Sequence, residues 1–185
     1  MPEEIQKTQR LDPQAPLVLD ARRLGRRPGS MQRVSRSVPA PADLGLPVIG
    51  VPEGATIELD LRLEAVLDGV LVSGTAGAPL AGECVRCLEP VHDEIVVELA
   101  ELFVFPGRDG DEETSWLQDD LLDLEPTLRD AVVLMLPLQP VCEDDCAGLC
   151  VECGARLAED PEHAHQQIDP RWAVLQGLVG NDEQE

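Results

Sequence analysis

Residues 56–76, TIELDLRLEAVLDGVLVSGTA, alternate apolar and polar side chains with a period of two. Ile57, Leu59, Leu61, Leu63 and Ala65 fall on one face, and Glu58, Asp60, Arg62 and Glu64 on the other. This is the pattern of a strand with one face buried and one wet. Asp68-Gly69 is the signal of a two-residue type I′ turn, in which both central residues need positive φ. Folding about that turn sets Leu67 against Val70, Ala65 against Val72, Leu63 against Gly74 and Leu61 against Ala76 on the apolar face. On the wet face Glu64 meets Ser73 and Arg62 meets Thr75, so the expected register agrees with the pattern on both sides.

Other segments extend the sheet. Leu17-Val18-Leu19 reads as a short strand, and residues 31–38 alternate well enough for another, stopped by Pro39 and Pro41. A Cys-containing turn over 82–94 is expected to interrupt the sheet. It resumes over 94–105, with Ile95, Val97 and Leu99 on one face. Residues 107–125 are rich in Asp and Glu and read as a mobile loop, docked in part through Trp116, Leu117, Leu121 and Leu122. A helix is predicted over 125–137, with Pro126 at its first position and Leu128, Ala131, Val132 and Met135 as its apolar stripe. A second short helix is predicted over 169–180, capped by Asp169, started by Pro170 and ended by Gly180, burying Trp172, Leu175 and Leu178. The expected fold class is α+β: a mostly antiparallel β-sheet with two short helices and a small Cys/His zinc-binding lobe. Residues 1–15 form a disordered leader in this reading and 16–140 the sheet domain. Residues 141–180 form the zinc lobe with the C-terminal helix, and 181–185 a tail.

A chain of 185 residues buries about 70% of its unfolded surface. With two Phe, two Trp and no Tyr, the core must come from Leu, Val, Ile and Ala. Charge is uneven. Residues 1–36 hold eight Lys/Arg and four Asp/Glu, a balance of +4; the rest hold six Arg and 32 Asp/Glu, a balance of −26, which together give the net −22. Such an acidic body repels phosphate backbones and attracts basic partners. No apolar run approaches the length of a membrane span, and MPEEIQKTQR lacks the apolar stretch of a signal peptide. A cytoplasmic location with reduced thiols is therefore expected.

The six cysteines fall into two CxxC pairs, Cys84/Cys87 and Cys150/Cys153, plus Cys142 and Cys146. His163 and His165 follow shortly after. Six thiols and two imidazoles make eight donors, the number two tetrahedral zinc sites require. Reach favours Cys84, Cys87, Cys142 and Cys146 on one ion and Cys150, Cys153, His163 and His165 on the other. A rival partition joins Cys142, Cys146, Cys150 and Cys153, leaving Cys84 and Cys87 with the histidines; a third fills one site only. Gly154, directly after Cys153, suits a metal knuckle because the turn wants a residue tolerant of positive φ. Neither CxxC opens a helix after a strand, against a thioredoxin-like role. His92, beside Asp93 and Glu94, reads as solvated surface. The chain lacks GxxxxGK[ST], GxSxG and HExxH. A closed thiolate site activates water poorly, so one or two Zn²⁺ ions are expected as structural cofactors, each worth on the order of 10 kcal/mol of folding energy.

Arg22, Arg23, Arg26, Arg27, Arg33 and Arg36 crowd into fifteen positions. They could grip RNA phosphates, or lie on the protein's own acidic body. Scarce aromatics weigh against reading of single-stranded RNA by stacking.

GECVRCLEPV, then an acidic loop, a helix running into LPLQPVCEDDCAGLCVECGARL, and finally DPRWAVLQGL resemble the YceD-like family, the large ribosomal RNA subunit accumulation proteins. The likeness runs over roughly residues 16–180. Many members carry Cys-x-Cys ahead of the DPR segment; here it is His163-Ala164-His165, a swap that zinc tolerates. The resemblance implies a part in synthesis, processing or stability of 23S ribosomal RNA, and it brings no catalytic residues. The expected function is thus a non-enzymatic ribosome-biogenesis factor acting as an acidic scaffold or chaperone. Its expected partner is a basic ribosomal or assembly protein, with ribosomal RNA touched through the Arg-rich head, and with neither membrane nor small-molecule substrate. Two rivals are a zinc/thiol redox-sensing regulatory protein and a Mg²⁺-dependent hydrolase or nuclease built on the acidic loop.

Overall fold

The computed structural model describes residues 10–108 and 114–165. In chain order its elements are β1 (Val18–Asp20), β2 (Met31–Pro39), β3 (Leu44–Leu46), β4 (Ile49–Val51), β5 (Thr56–Ala65), β6 (Gly69–Glu83), β7 (Pro90–Val104), β8 (Leu121–Asp123) and α1 (Glu125–Met135). All strand pairs are antiparallel. β6 is the spine of the sheet. Along one edge it pairs with β7 over its whole length, and along the other with β5 and then β4. β2 extends the sheet beyond β5 and β3 extends it beyond β4. The short β1–β8 ribbon contributes Leu19 and Leu122, the residue before it Leu17, and α1 Leu128 and Val132, to the same apolar cluster as Ile57, Leu61, Val72 and Val97. The opposite face of the sheet is wet, as antiparallel sheets allow.

Alternation in β5 does what it predicts: Ile57, Leu59, Leu61, Leu63 and Ala65 are all buried. The pairing with β6 differs from the expected one by two residues. Ala65 lies opposite Val70, Leu63 opposite Val72, and Leu61 opposite Gly74. A slip of two keeps every side chain on its own face, so alternation cannot tell the registers apart. The turn sits at Leu67-Asp68 and is closed by Val66 N–H donating to Gly69 O at 2.9 Å. None of Leu67, Asp68 and Gly69 has positive φ, so no type I′ turn forms there. Gly69 is needed for room instead, because a Cβ at that position would collide with the Phe103 carbonyl of β7. A two-residue turn with both φ positive does occur at Asp119-Asp120 (φ 52° and 60°), where Gln118 and Leu121 exchange two backbone bonds of 2.9 Å.

The Cys-containing turn does not interrupt the sheet. It is the apex joining β6 to β7, and β7 starts at Pro90, which makes His92 an exposed strand residue. The β3–β4 hairpin was not expected from the sequence. Its two glycines, Gly45 and Gly50, stand opposite each other too closely to admit side chains.

α1 begins where predicted, with Pro126 in its first turn and the Asp123 carboxylate accepting Glu125 N–H at 3.0 Å. Its buried line is Leu124, Leu128, Val132 and Leu136, at steps of four, whereas Met135 is 62% exposed. The predicted stripe was thus rotated: Leu124 and Leu136, just outside the helix, replace Met135, and Ala131 is partly buried. Arg129 pairs with Glu125 and donates to the carbonyls of Ala42 and Asp43, pinning the helix beside β3. The described residues contain this one helix. The second predicted helix, at 169–180, and the expected tail lie outside them.

Candidate metal centres

Each CxxC forms a knuckle, and the two knuckles are geometric copies. In the first, Cys84 N–H donates to Glu89 O at 2.8 Å and Leu88 N–H donates to Cys84 O at 2.9 Å. In the second, Cys150 N–H donates to Ala155 O at 2.8 Å and Gly154 N–H donates to Cys150 O at 2.8 Å. The residue after the second cysteine is left-handed in both, Leu88 with φ 61° and Gly154 with φ 72°. This turn aims backbone N–H groups at sulfur, as Arg86 N does toward Cys84 Sγ at 3.4 Å.

The structure brings the eight donors together in two groups of four: Cys84, Cys87, Cys142 and Cys146, and Cys150, Cys153, His163 and His165. Within each group the donor atoms all lie within 4.8 Å of one another. No disulfide links any of the six cysteines. In the first group Cys84 Sγ is 3.8 Å from Cys146 Sγ, and Cys87 Sγ is 3.6 Å from Cys142 Sγ. A tetrahedral ion with metal–sulfur bonds of about 2.3 Å sets sulfurs about 3.8 Å apart, so the spacing fits. In the second group Cys153 Sγ is 3.2 Å from Nε2 of both His163 and His165, whose Nε2 atoms are 2.9 Å apart. Each imidazole turns its other nitrogen toward a carboxylate: His163 Nδ1 lies 3.7 Å from Asp160, and His165 Nδ1 lies 3.5 Å from Glu152. An outer carboxylate behind each ring is the usual company of a ligating histidine. Donor type, spacing and outer contacts therefore fit a divalent ion in both groups.

The groups differ in setting. Cys84 and Cys146 are buried, and the first group ties the β6–β7 apex to the segment after α1. The second gathers ligands from one stretch, 150–165, and Cys153 is exposed. Burial alone raises the Cys84 thiol, but N–H groups of Cys142, Cys87 and Arg86 and the Cys87 side chain outweigh it and bring it down to about 6. Cys142 is pushed up to about 12, chiefly by its hydrogen bond with the Cys146 side chain, and burial raises Cys146. In the second group the N–H of Cys153, then that of Glu152, brings Cys150 down to about 6. The cluster of four thiols thus concentrates negative charge at Cys84, while Cys142 and Cys146 hold protons that a cation would displace.

Arg86, Gly148 and Arg156 complete this end of the molecule. Arg86 Nη1 donates to the carbonyls of Asp144 and Cys146 at 3.1 Å each, and its own carbonyl accepts Leu149 N–H at 3.0 Å. Gly148, with φ 78°, passes so close to Arg86 that a Cβ would lie 3.1 Å from the Arg86 carbonyl oxygen. Arg156 forms ion pairs with Glu89 and Glu159. The two knuckles are therefore bonded to each other through residues that the cysteine spacing did not point to. Their one sequence signal is position: Arg86 lies inside a CxxC, and Gly148 and Arg156 flank the other.

The arginine head divides. Arg22 pairs with Asp20 at 3.1 Å, and Arg26 lies 5.0 Å over the Phe105 ring and 3.6 Å from Asp120. Arg36 Nη2 donates to the carbonyls of Pro16 at 2.6 Å and Val18 at 3.1 Å. Arg23, Arg27 and Arg33 are exposed and form no ion pair among the described residues. Arg33 stands directly opposite Arg62, which is paired with Glu64 at 2.6 Å.

A small antiparallel sheet whose hairpin apex and trailing loop present two four-donor Cys/His clusters defines a β-protein with two places that could hold a metal ion. The chain belongs to the family described as large ribosomal RNA subunit accumulation protein YceD, whose model matches residues 72–179. It is 48% identical over 171 residues to an uncharacterised protein of Mycobacterium tuberculosis, covering 90% of this chain and 83% of that one. It is 28% identical over 134 residues to the uncharacterised protein YlbN of Bacillus subtilis, covering 68% of this chain and 73% of the relative. A Zea mays protein named as a chloroplastic large ribosomal RNA subunit accumulation protein homolog is 36% identical over 129 residues, covering 52% of this chain and 41% of its own. No solved structure matches the chain.

Proposed function

We propose that this protein is a non-enzymatic ribosome-biogenesis factor that supports synthesis, processing or stability of 23S ribosomal RNA in the cytoplasm. Membership of a family described by large-subunit ribosomal RNA accumulation is the observation that carries this reading. The Cys/His donor sets favour zinc over hard cations, and four protein donors per cluster leave no open position for substrate, so the ions are structural. The acidic body engages a basic ribosomal or assembly protein, and the exposed Arg23, Arg27 and Arg33 touch ribosomal RNA. No described helix is long and apolar enough to cross a membrane. The test is depletion: 23S RNA should fall relative to 16S, and an unchanged ratio defeats the proposal. Metal analysis should give two zinc ions per chain, falling to one in Cys84→Ser or in Cys150→Ser.

A second reading, zinc/thiol redox sensing, draws on the accessibility of the second cluster, where Cys150 is part-exposed and Cys153 exposed. It predicts that mild peroxide oxidises Cys150 and Cys153 and ejects one ion from folded protein. Zinc that stays bound until the chain unfolds rules sensing out.

A further inference from the structure

The paired knuckles expose one residue that the fold does not explain. Leu88 occupies the place that Gly154 holds in the second knuckle, in the left-handed region that glycine enters freely and leucine resists. Its side chain is 62% exposed, so the core gains little from keeping a leucine there. Backbone strain at an exposed apolar residue directs attention to what that side chain meets outside the chain.

Its neighbours are also apolar and exposed. Val85 and Val151 each follow the first cysteine of a knuckle, and Val151 is 101% exposed. Leu138, 81% exposed, lies two residues before Pro140, whose carbonyl accepts Val85 N–H at 2.9 Å. The bond from Leu149 N–H to Arg86 O brings the Val151 knuckle alongside from the other direction. Around this patch stand the exposed carboxylates Glu83, Glu143, Asp144, Asp145 and Glu152. The nearby cations are already engaged: Arg86 on the Asp144 and Cys146 carbonyls, Arg156 on Glu89 and Glu159. A divalent ion held by the four thiolates of the first cluster would leave net negative charge beneath.

We propose that this apolar patch with its acidic border docks a basic, amphipathic segment of a partner protein. The proposal rests on the ribosome-biogenesis reading only for the identity of that protein; the chemistry of the occupant comes from the surface. RNA is repelled by the border. A second copy would set the same carboxylates against each other. Residues 166–185 of this chain carry Asp169, Asp182, Glu183 and Glu185 against Arg171 alone, the wrong sign for the site.

The experiment places a photocrosslinking amino acid at Val151 in the full-length protein in cells and maps the crosslinked peptide by mass spectrometry. The expected product is a net-basic segment of another protein carrying apolar side chains. Leu88→Gly in the same background should lower its yield about tenfold, the loss expected for one buried leucine at the contact. It should also melt at or above the parent temperature, because strain is relieved. Crosslinks to RNA, to a second copy or to residues 166–185, or a yield that Leu88→Gly leaves unchanged, overturn the docking face. The ribosomal reading is judged separately, by the 23S to 16S ratio on depletion. A basic crosslinked segment with an unaltered ratio sinks that reading and leaves this one, and the converse sinks only the docking face.

Discussion

Replacing His163 and His165 together by alanine should unfold one end of the molecule and leave the sheet intact. From residue 147 to 165 no hydrophobic side chain is buried in the core. Ordering that stretch costs on the order of 20 kcal/mol at about 1 kcal/mol per residue of backbone entropy. Against this stand the backbone bonds Leu149 to Arg86, Leu157 to Gly148, Cys150 to Ala155 and Gly154 to Cys150. At about 1 kcal/mol each, with surface ion pairs adding about 1 more, they supply roughly 5 kcal/mol. A structural zinc ion contributes about 10–16 kcal/mol, which closes the difference to within a few kcal/mol. On the proposed reading of the second cluster as a zinc site, the segment is therefore folded by its ion. The expected outcome is loss of one equivalent of zinc and of hydrogen-exchange protection over 147–165. Protection in β5, β6 and β7 should persist, and the main thermal transition should move by only a few degrees. Retained protection over 147–165 in protein that has lost one ion would refute this reasoning, because some other interaction would then be holding the segment.

Three further outcomes are expected. Gly69→Ala should cost about 2 kcal/mol or more, since its Cβ meets the Phe103 carbonyl, while Gly77→Ala, with no atom nearer than 3.8 Å, should be neutral within about 1 kcal/mol; urea melts of both decide it. Arg36→Ala should destabilise by about 1 kcal/mol, chiefly through the part-buried Val18 carbonyl since that of Pro16 opens to water, whereas Arg33→Ala should leave stability unchanged and weaken only RNA retention, measured by filter binding. In metal-free protein the first cluster, held by the sheet, should show one thiolate whose ultraviolet absorbance appears with a midpoint near pH 6 and is missing in Cys84→Ser, while Cys142, though exposed, should resist iodoacetamide at pH 8 because its thiol is pushed up to about 12. The sign for Cys84 follows from a thiol brought below its ordinary 9.0: its stabilising effect is complete above about pH 9 and is lost as pH falls through about 6. An absorbance step near pH 6 that survives Cys84→Ser, or ready alkylation of Cys142 at pH 8, would contradict that ordering.

The half-buried strand β5 was legible because its alternation has one solution: each apolar residue from Ile57 to Ala65 must face the core. The register against β6 was not, since a slip of two conserves the faces, and the turn falls at Leu67-Asp68, closed by Val66 N–H on Gly69 O, in place of the Asp-Gly turn that the sequence announces. The glycine answers instead to Phe103 on β7, a neighbour far away in sequence that leaves no local trace. The helix was legible from Pro126 and its stops, yet its orientation depended on Leu124, one residue before the predicted span, and on Leu136, inside that span but off the predicted stripe. At the candidate metal centres the donor types and CxxC spacing revealed that donors should gather. What the spacing could not reveal was how the knuckles meet, since Arg86 and Arg156 act through carbonyls and a carboxylate that only the fold brings near.

The bonded knuckles also bear on how an acidic chain keeps an acidic segment folded. Residues 142–154 contain four carboxylates and no Lys or Arg of their own. Arg86 from the first knuckle supplies the missing cation, but it does so through carbonyls, and Arg156 closes onto Glu89 from beyond the second knuckle. The Arg86 side chain holds the stretch that carries Cys146, a donor of its own cluster, and its carbonyl accepts Leu149 N–H beside the second knuckle, while Arg156, just past the second knuckle, pairs with Glu89 of the first. Were ions held at both clusters, ordering either knuckle would place an anchoring group of the other, so the two binding events would be linked in free energy, and linkage of that kind is reciprocal. The second cluster, exposed and without a core of its own, borrows order from the first, which the sheet already fixes through buried Cys84 at the end of β6.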